Sequence, residues 1–454
     1  MRGMGRAVTI MVAAAMLTAC GDGDDGAARS GDPGGSSPGV GASPQPVVNA
    51  PEGFDTAKGW QETVGWLPEN AENLTVGAAA KAGVVAFLQK KGAGYVVDAR
   101  DAATGAPRWD SQEWQPPALP ENVAPDPSYL PRLLVVNEGG REYVVVWSYT
   151  PSFTDEDVVS LVLYPADSSG KGIAPAHTRS VSREDSGSVK VVDGGNGLLV
   201  HWEDRGDYHA AAIDLSTERI KTYDESVRLP YCEEEDVVCN SGRVAGLSPD
   251  GPLVAIDPGG FGVPGVWQAS NAVPPAADPK NHGKYENGKV WAVLGDHVFS
   301  SWYAKQGVTK QGGIPVAAVH DLKSGKLQTS VVCDPQGGLD GRSYDPVLSP
   351  NGRYAVAGTI AFDSETGVAR CFGEDEEEGQ EGVRLVSVDD DGTAYGYGQG
   401  GDANVPVTVA VGTGKIEELP QDTEIPFLSL PGIGGFSLAT TDNGERRFVF
   451  LPRR

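Results

Sequence analysis

From about Phe54 onward, apolar positions come in short β-type runs, and the turns that end them repeat one order of polar residues. That order is Asp, then Thr or Ser, then usually Gly. The first copy runs from Val96-Val97-Asp98 through Asp101-Ala102-Ala103-Thr104-Gly105 to Trp109. Further copies are Ala166-Asp167-Ser168-Ser169-Gly170, Ile213-Asp214-Leu215-Ser216-Thr217 and Val319-His320-Asp321-Leu322-Lys323-Ser324-Gly325. Phe362-Asp363-Ser364-Glu365-Thr366-Gly367 and Val411-Gly412-Thr413-Gly414 complete the set. The chemistry is that of a hairpin: side-chain oxygens accept from the turn backbone, and glycine takes the positive φ of a tight reversal. A second class of turn interleaves with the first. Leu247-Ser248-Pro249-Asp250-Gly251, Leu348-Ser349-Pro350-Asn351-Gly352 and Asp389-Asp390-Asp391-Gly392 each place Asp-Gly or Asn-Gly between apolar runs.

The spacing of the first class sets the architecture. Gly105 to Gly170 spans 65 residues, Gly170 to Thr217 spans 47, Gly325 to Gly367 spans 42, and Gly367 to Gly414 spans 47. A degenerate turn near Asp257–Gly265 divides the 108 residues between Thr217 and Gly325. A four-stranded unit repeating roughly every 40–60 residues is the mark of a β-propeller. One such unit cannot bury both of its faces, and closing a ring buries them without leaving long bare edges. The expected fold is therefore all-β, a β-propeller over residues 54–454. Seven placeable turns predict seven blades, and the mean spacing also allows eight. A pair of β-sandwiches would not repeat one turn signature so often.

The stretch Asp98-Ala99-Arg100-Asp101 to Trp109 resembles the strand-turn-strand of quinoprotein (PQQ-type) propeller repeats, with the blade tryptophan in its usual place. Only this copy keeps the tryptophan. Leu247–Gly251 and Leu348–Gly352 resemble the WD40-like repeats of secreted bacterial propellers. Both resemblances specify blades rather than an activity. The quinoprotein likeness implies PQQ and calcium as candidate cofactors, but no calcium-ligand set or quinone-stacking pair can be assigned, so no cofactor is expected.

The N-terminus carries an address. Arg2 and Arg6 precede an apolar run from Ala7 to Met16, too short for a membrane-spanning helix but right for a signal-peptide core. Leu17-Thr18-Ala19-Cys20 follows, with small residues for a peptidase and a thiol for acylation. The segment resembles a bacterial lipoprotein signal. The expected layout is a signal over residues 1–19, a lipidated tether over 20–53 beginning at Cys20, and the propeller thereafter. Residues 21–50 are dominated by Gly, Ser, Pro and Asp and contain little that could enter a core, so they read as a flexible tether. As a whole the chain is similar to propeller lipoproteins of high-GC Gram-positive bacteria. These features place it on the extracytoplasmic face of the cell membrane.

Charge narrows the partners. The chain has a formal net charge of −26, and removing residues 1–19 takes away two arginines and no acids, giving −28. Such a surface repels phosphate backbones, so no nucleic-acid partner is expected, and the acyl chain is the expected means of membrane attachment. With Cys20 acylated, Cys232, Cys239, Cys333 and Cys371 remain, an even number in an oxidising compartment. Three pairings are open, and spacing favours 232–239 with 333–371. Zinc spacing is absent.

Motifs with catalytic spelling lack their context. Gly35-Ser36-Ser37-Pro38-Gly39 fits a nucleophile elbow but lies in the tether, and Gly396–Gly401 fits G-x-G-x-x-G but continues a strand. The acidic runs Glu233–Asp236, Glu374–Glu378 and Asp389–Asp391 read as solvated loops rather than calcium sites, because contiguous carboxylates do not converge. His201 and His209 bracket one hairpin and read as ordinary surface or rim residues; Arg205-Gly206-Asp207 between them reads as a polar turn. Of nine tryptophans, most should fill the wedges between blades, and one or two should line a channel mouth. No catalytic, cofactor or metal residue is assigned. The expected function is that of a monomeric adaptor or ligand sensor, engaging a protein or cell-wall ligand. The competing reading is a propeller enzyme, such as a quinoprotein-like dehydrogenase or a carbohydrate-active enzyme.

Overall fold

In the computed structural model the chain divides into two units, residues 1–42 and 43–454. The structure describes residues 48–68, 75–121, 123–124, 126–151, 157–183, 189–204, 207–217, 219–233, 239, 241–257, 259–281, 285–308, 315–333, 346–373, 382–398, 404–440 and 445–454. All of these belong to the second unit; Cys20 and the 35–39 motif lie outside them.

Eight antiparallel sheets follow one another along the chain, each with an inner strand, two middle strands and an outer strand. Their inner strands are Val76–Ala79, Arg132–Glu138, Val189–Asp193, Ser241–Ser248, Lys289–Leu294, Val347–Leu348, Val383–Val388 and Leu428–Leu430. Blade 1 carries a fifth strand, Gly170–Ile173, which is lent by blade 2 and pairs in parallel with the outer strand Pro107–Ser111. A separate hydrophobic cluster lies between each pair of neighbouring blades, including blades 8 and 1. The ring is therefore closed by packed apolar side chains. This is a β-propeller of eight blades.

The eighth blade corrects the expected count of seven, and the reason is topological. The Asp-Thr/Ser-Gly turn joins the third strand of a blade to its outer strand. Blade 8 has no such connection, because its third strand, Arg446–Pro452, is the last of the chain and its outer strand, Trp60–Val64, is the first. The two pair antiparallel, Trp60 opposite Phe450 and Val64 opposite Arg446. A count of turns misses the one blade that the chain closes with its own two ends.

The turns are built as their chemistry requires. Asp101 accepts from the Thr104 amide and hydroxyl at 3.0 and 2.8 Å, Asp214 from the Thr217 amide at 2.7 Å, and Asp321 from the Ser324 amide at 2.7 Å. Alternation of strand direction places these turns, with those joining inner to second strands, on one rim of the propeller (the turn rim). The opposite rim carries the turns between the middle strands and the longer segments that run from one blade to the next (the link rim).

Successive blades are locked at the turn rim by a recurring dock. The indole N–H of an outer-strand tryptophan donates to a carbonyl of the next blade's turn: Trp60 to Ala102, Trp109 to Ala166 and Trp267 to Leu322, each at 3.1 Å. Trp60 and Trp267 also lie against Gly105 and Gly325, both at φ +70°. A Cβ on Gly105 would stand 2.6 Å from the Trp60 ring, so glycine here serves the contact as well as the turn. The expectation that only the first copy keeps its tryptophan is thus corrected. Trp60 has no turn before it, and Trp267 follows the degenerate turn at a different spacing. Between blades 6 and 7, Arg370 takes the same place, donating to Val411 and Gly412 at 2.7 and 2.5 Å.

Two disulfides lie on the link rim. Cys232–Cys239 closes a loop between blades 3 and 4, and Cys333–Cys371 joins the outer-strand ends of blades 5 and 6. The loop-entropy model assigns about 2.5 kcal/mol to the short loop and about 4 kcal/mol to the long one. Breaking the second bond by Cys333→Ser with Cys371→Ser should lower stability by about that larger amount in urea unfolding. Trp60→Ala should cost about 3–5 kcal/mol, the scale of a buried Trp truncation, with loss of cooperative unfolding, since it removes the closing dock. Unfolding curves that match those of the parent chain would contradict both expectations.

Candidate functional site

The link between blades 1 and 2 shapes the principal cleft. The described residues between 112 and 131 include Pro116, Pro117, Pro120, Pro127 and Pro131, each of which presets its own φ. Asp126 accepts from the Ser128 amide at 2.8 Å and so caps the single turn Pro127–Tyr129. That turn sets Tyr129 against Tyr149, ring centroids 5.8 Å apart. The resulting cleft has a volume of about 450 Å³ and is lined by Lys90, Tyr95, Gln115, Pro116, Pro117, Tyr129, Ser148 and Tyr149, among others.

Beneath Tyr149 lies a buried ion pair. Arg183 and Asp157 are 3.0 Å apart, with side chains 0% and 1% exposed. The Tyr149 hydroxyl donates to Asp157 at 2.8 Å, and the Arg183 guanidinium sits 4.5 Å over the tyrosine ring. Burial, then the bond to Asp157, push the Tyr149 pKa up to about 12, so the phenol stays a donor at every physiological pH. The ring is held rigidly as a wall of the cleft. The Ser148 hydroxyl, on a residue 2% exposed, has no hydrogen-bond partner among the described residues and lies on the lining. A buried hydroxyl without a partner costs about 1–3 kcal/mol, which a polar ligand atom would recover. Rigid aromatic faces with one orienting hydroxyl suit recognition of a ring or a peptide segment. A second hollow of about 410 Å³ beside Val266, Trp267 and Ser324 is the outer surface of the blade 4–5 dock.

Several sequence candidates have structural occupations. In blade 3, Trp202 pairs with His209 and His201 with Ala210, which puts the two histidines on opposite faces of the sheet. They cannot hold one metal between them. His209 stacks on Trp202 at 5.6 Å, whereas His201 is half-buried: burial, then Arg243 and Lys190, hold its pKa down at about 4. The reading of Asp389–Asp391 as a solvated loop is corrected. Asp389 is 5% exposed, accepts from the Tyr395 hydroxyl at 2.8 Å and pairs with Arg453, while Asp390 accepts from the Asn351 amide. Gly396 lies in a middle strand of blade 7, where a Cβ would collide with the Arg384 carbonyl. Close strand packing explains that glycine; Gly400 and Gly401 lie outside the described residues, as do Arg205, Gly206, residues 234–236 and residues 374–378. None of the nine tryptophans is fully exposed; Trp66, Trp114 and Trp291 are half-buried, and Trp291 lies on the inner strand of blade 5. Among the described residues, no group of three His, Cys, Asp or Glu side chains could hold a metal ion. The cleft itself is invisible to motif reasoning, since its residues come from separate runs with no shared spacing.

No family model matches the chain, and no curated protein matches it. Solved structures that resemble it include a candidate 6-phosphogluconolactonase from Bacteroides fragilis (12% identity, 75% of this chain and 94% of that one, TM-score 0.33). TolB from Acinetobacter baumannii also matches (12% identity, 82% and 64%, TM-score 0.27), as does the polysaccharide lyase Uly1 (8% identity, 84% and 90%, TM-score 0.35). At these values the likeness carries no activity over to this chain.

His320, which is buried, and His201, which is half-buried, set a pH dependence. His320, like His201, has its pKa lowered to about 4, chiefly by burial. As pH falls from about 6.5 to about 4, the unfolded chain takes up protons that the folded state refuses, so these histidines destabilise the fold in that window. Burial raises the pKa of Glu62 and Asp193, which acts in the opposite sense, so the difference between variants is the readout. His201→Gln should lose less thermal stability between pH 7 and pH 4.5 than the parent chain. An unchanged pH slope would contradict the assignment.

Proposed function

We propose that this chain is a lipid-anchored propeller on the extracytoplasmic face of the cell membrane, where it binds a ligand or partner protein through its link rim. The signal-like segment ending at Cys20 and the two disulfides support that address, since disulfides persist in oxidising compartments. The observation that carries the binding reading is the blade 1–2 cleft. It presents two tyrosine rings, one fixed from below by the Asp157–Arg183 pair, and a buried hydroxyl with no partner among the described residues. A rim of this kind recognises without reacting: its groups orient a ligand and exclude water.

Cys20→Ala should abolish fatty-acid labelling and leave the protein uncleaved or shed; normal membrane retention would overturn the anchor. Capture of partners from intact membranes, with the anchor kept, tests the cleft. Tyr129→Ala should weaken capture about tenfold or more, the scale of one lost aromatic anchor, without lowering Tm. Equal capture would overturn the cleft as the site. Turnover of a substrate, lost on replacing one acid or histidine at unchanged stability, would overturn the binding reading.

A further inference from the structure

The inner strands of five blades carry, within four residues of their link-rim ends, the same pair of residues: a cation followed by a buried apolar side chain. The pairs are Arg132-Leu133, Lys190-Val191, Arg243-Val244, Lys289-Val290 and Arg384-Leu385, in blades 2, 3, 4, 5 and 7. Leu133, Val191, Val244, Val290 and Leu385 are each 8% exposed or less. In blades 4, 5 and 7 the register confirms the equivalence, since the ladder shifts just after Val244, Val290 and Leu385 alike. Inner strands ring the axis, so these cations stand around one mouth of the central channel.

Four of them occupy consecutive blades. The guanidinium of Arg243 reaches from blade 4 to the Val290 carbonyl of blade 5 at 2.7 Å, beside Lys289. Arg243 and Lys190 both act on His201, the register partner of Lys190, so the three groups share one electrostatic neighbourhood. Among the described residues, none of Arg132, Lys190, Arg243 and Lys289 forms an ion pair, although the chain carries 62 acids against 36 Lys and Arg. Burial works against the charge of Arg132 and of Arg243, and no carboxylate among the described residues offsets it. Half-buried arginines without counter-ions are costly; the Trp147 ring at 4.9 Å and the Ser128 carbonyl at 3.3 Å offset part of that cost for Arg132, and an anion would complete both arginines.

We propose that this channel mouth binds an anionic ligand bearing several phosphate or carboxylate groups, held by the inner-strand cations of blades 2–5. The inference rests on the reading of the link rim as the binding face and names the ligand chemistry there. Guanidinium groups supply forked N–H donors to the anion's oxygens, and the lysines add charge at the edge.

The test is calorimetric titration of the full-length chain, in detergent, with tripolyphosphate in one arm and a hexagalacturonate in the other. Saturable binding by one probe, weakening as sodium chloride rises, is expected, and its identity separates a phosphate ligand from a carboxylate one. Lys190→Gln with Lys289→Gln, both exposed and without structural bonds, should weaken it about tenfold or more, and Arg243→Gln further still. Lys323→Gln, on the turn rim, should leave it unchanged. No saturable binding by either probe, equal affinity in the double variant, or the same loss in Lys323→Gln would overturn the proposal. Tyr129→Ala should spare anion binding, so the mouth and the cleft fail separately.

Discussion

The pairing of the first strand with the last is the constraint on which the rest depends. Trp60–Val64 completes blade 8 only by meeting Arg446–Pro452, residues nearly four hundred positions away in sequence. Trp60 then does two further things: it packs on Phe436 and Phe450 within its own blade, and it docks on the Ala102–Gly105 turn of blade 1. Across the same interface Arg100 of blade 1 pairs with Glu62 of the closing strand at 2.8 Å. Without this strand blade 8 has three strands, and both it and blade 1 expose apolar faces.

The two rims differ because their connections differ in length. On the turn rim, reversals satisfy their own backbone through Asp, Ser and Thr oxygens, and at four of them the preceding blade presses a tryptophan or Arg370 against the turn. Such turns have little polar capacity left for a ligand. On the link rim, segments of five to twenty residues cross from outer strand to inner strand, and two of these regions are tied by disulfides. The turn rim is thus held by local side-chain bonds and inter-blade docks, and the link rim by longer segments and the two disulfides.

Net charge conceals a local pattern. A balance of −26 is a sum over the whole chain, yet the inner strands of four consecutive blades carry lysines and arginines near their link-rim ends. Ring closure produces this: a residue type placed once per repeat, at one strand position, becomes a cluster when the repeats meet at an axis. Spacings of 46 to 58 residues in the chain become neighbouring positions around the channel.

The linear sequence by itself determined the class of fold. The Asp-Thr/Ser-Gly turns are local devices, with donors and acceptors within three residues of one another, and their recurrence was enough to specify antiparallel repeats that must close. The spacing of the cysteines likewise favoured the pairs that form. The eighth blade was not legible, because its outer strand and its other three strands stand at opposite ends of the chain and no turn joins them. Nor were the docks of Trp60 and Trp267, the half-burial of His201, the burial of Asp389, the Tyr129–Ser148–Tyr149 cleft or the cationic mouth. Each of these joins residues from different blades, and only the packing of the closed ring decides which side chains meet, since burial and field are properties of neighbours in space rather than in sequence.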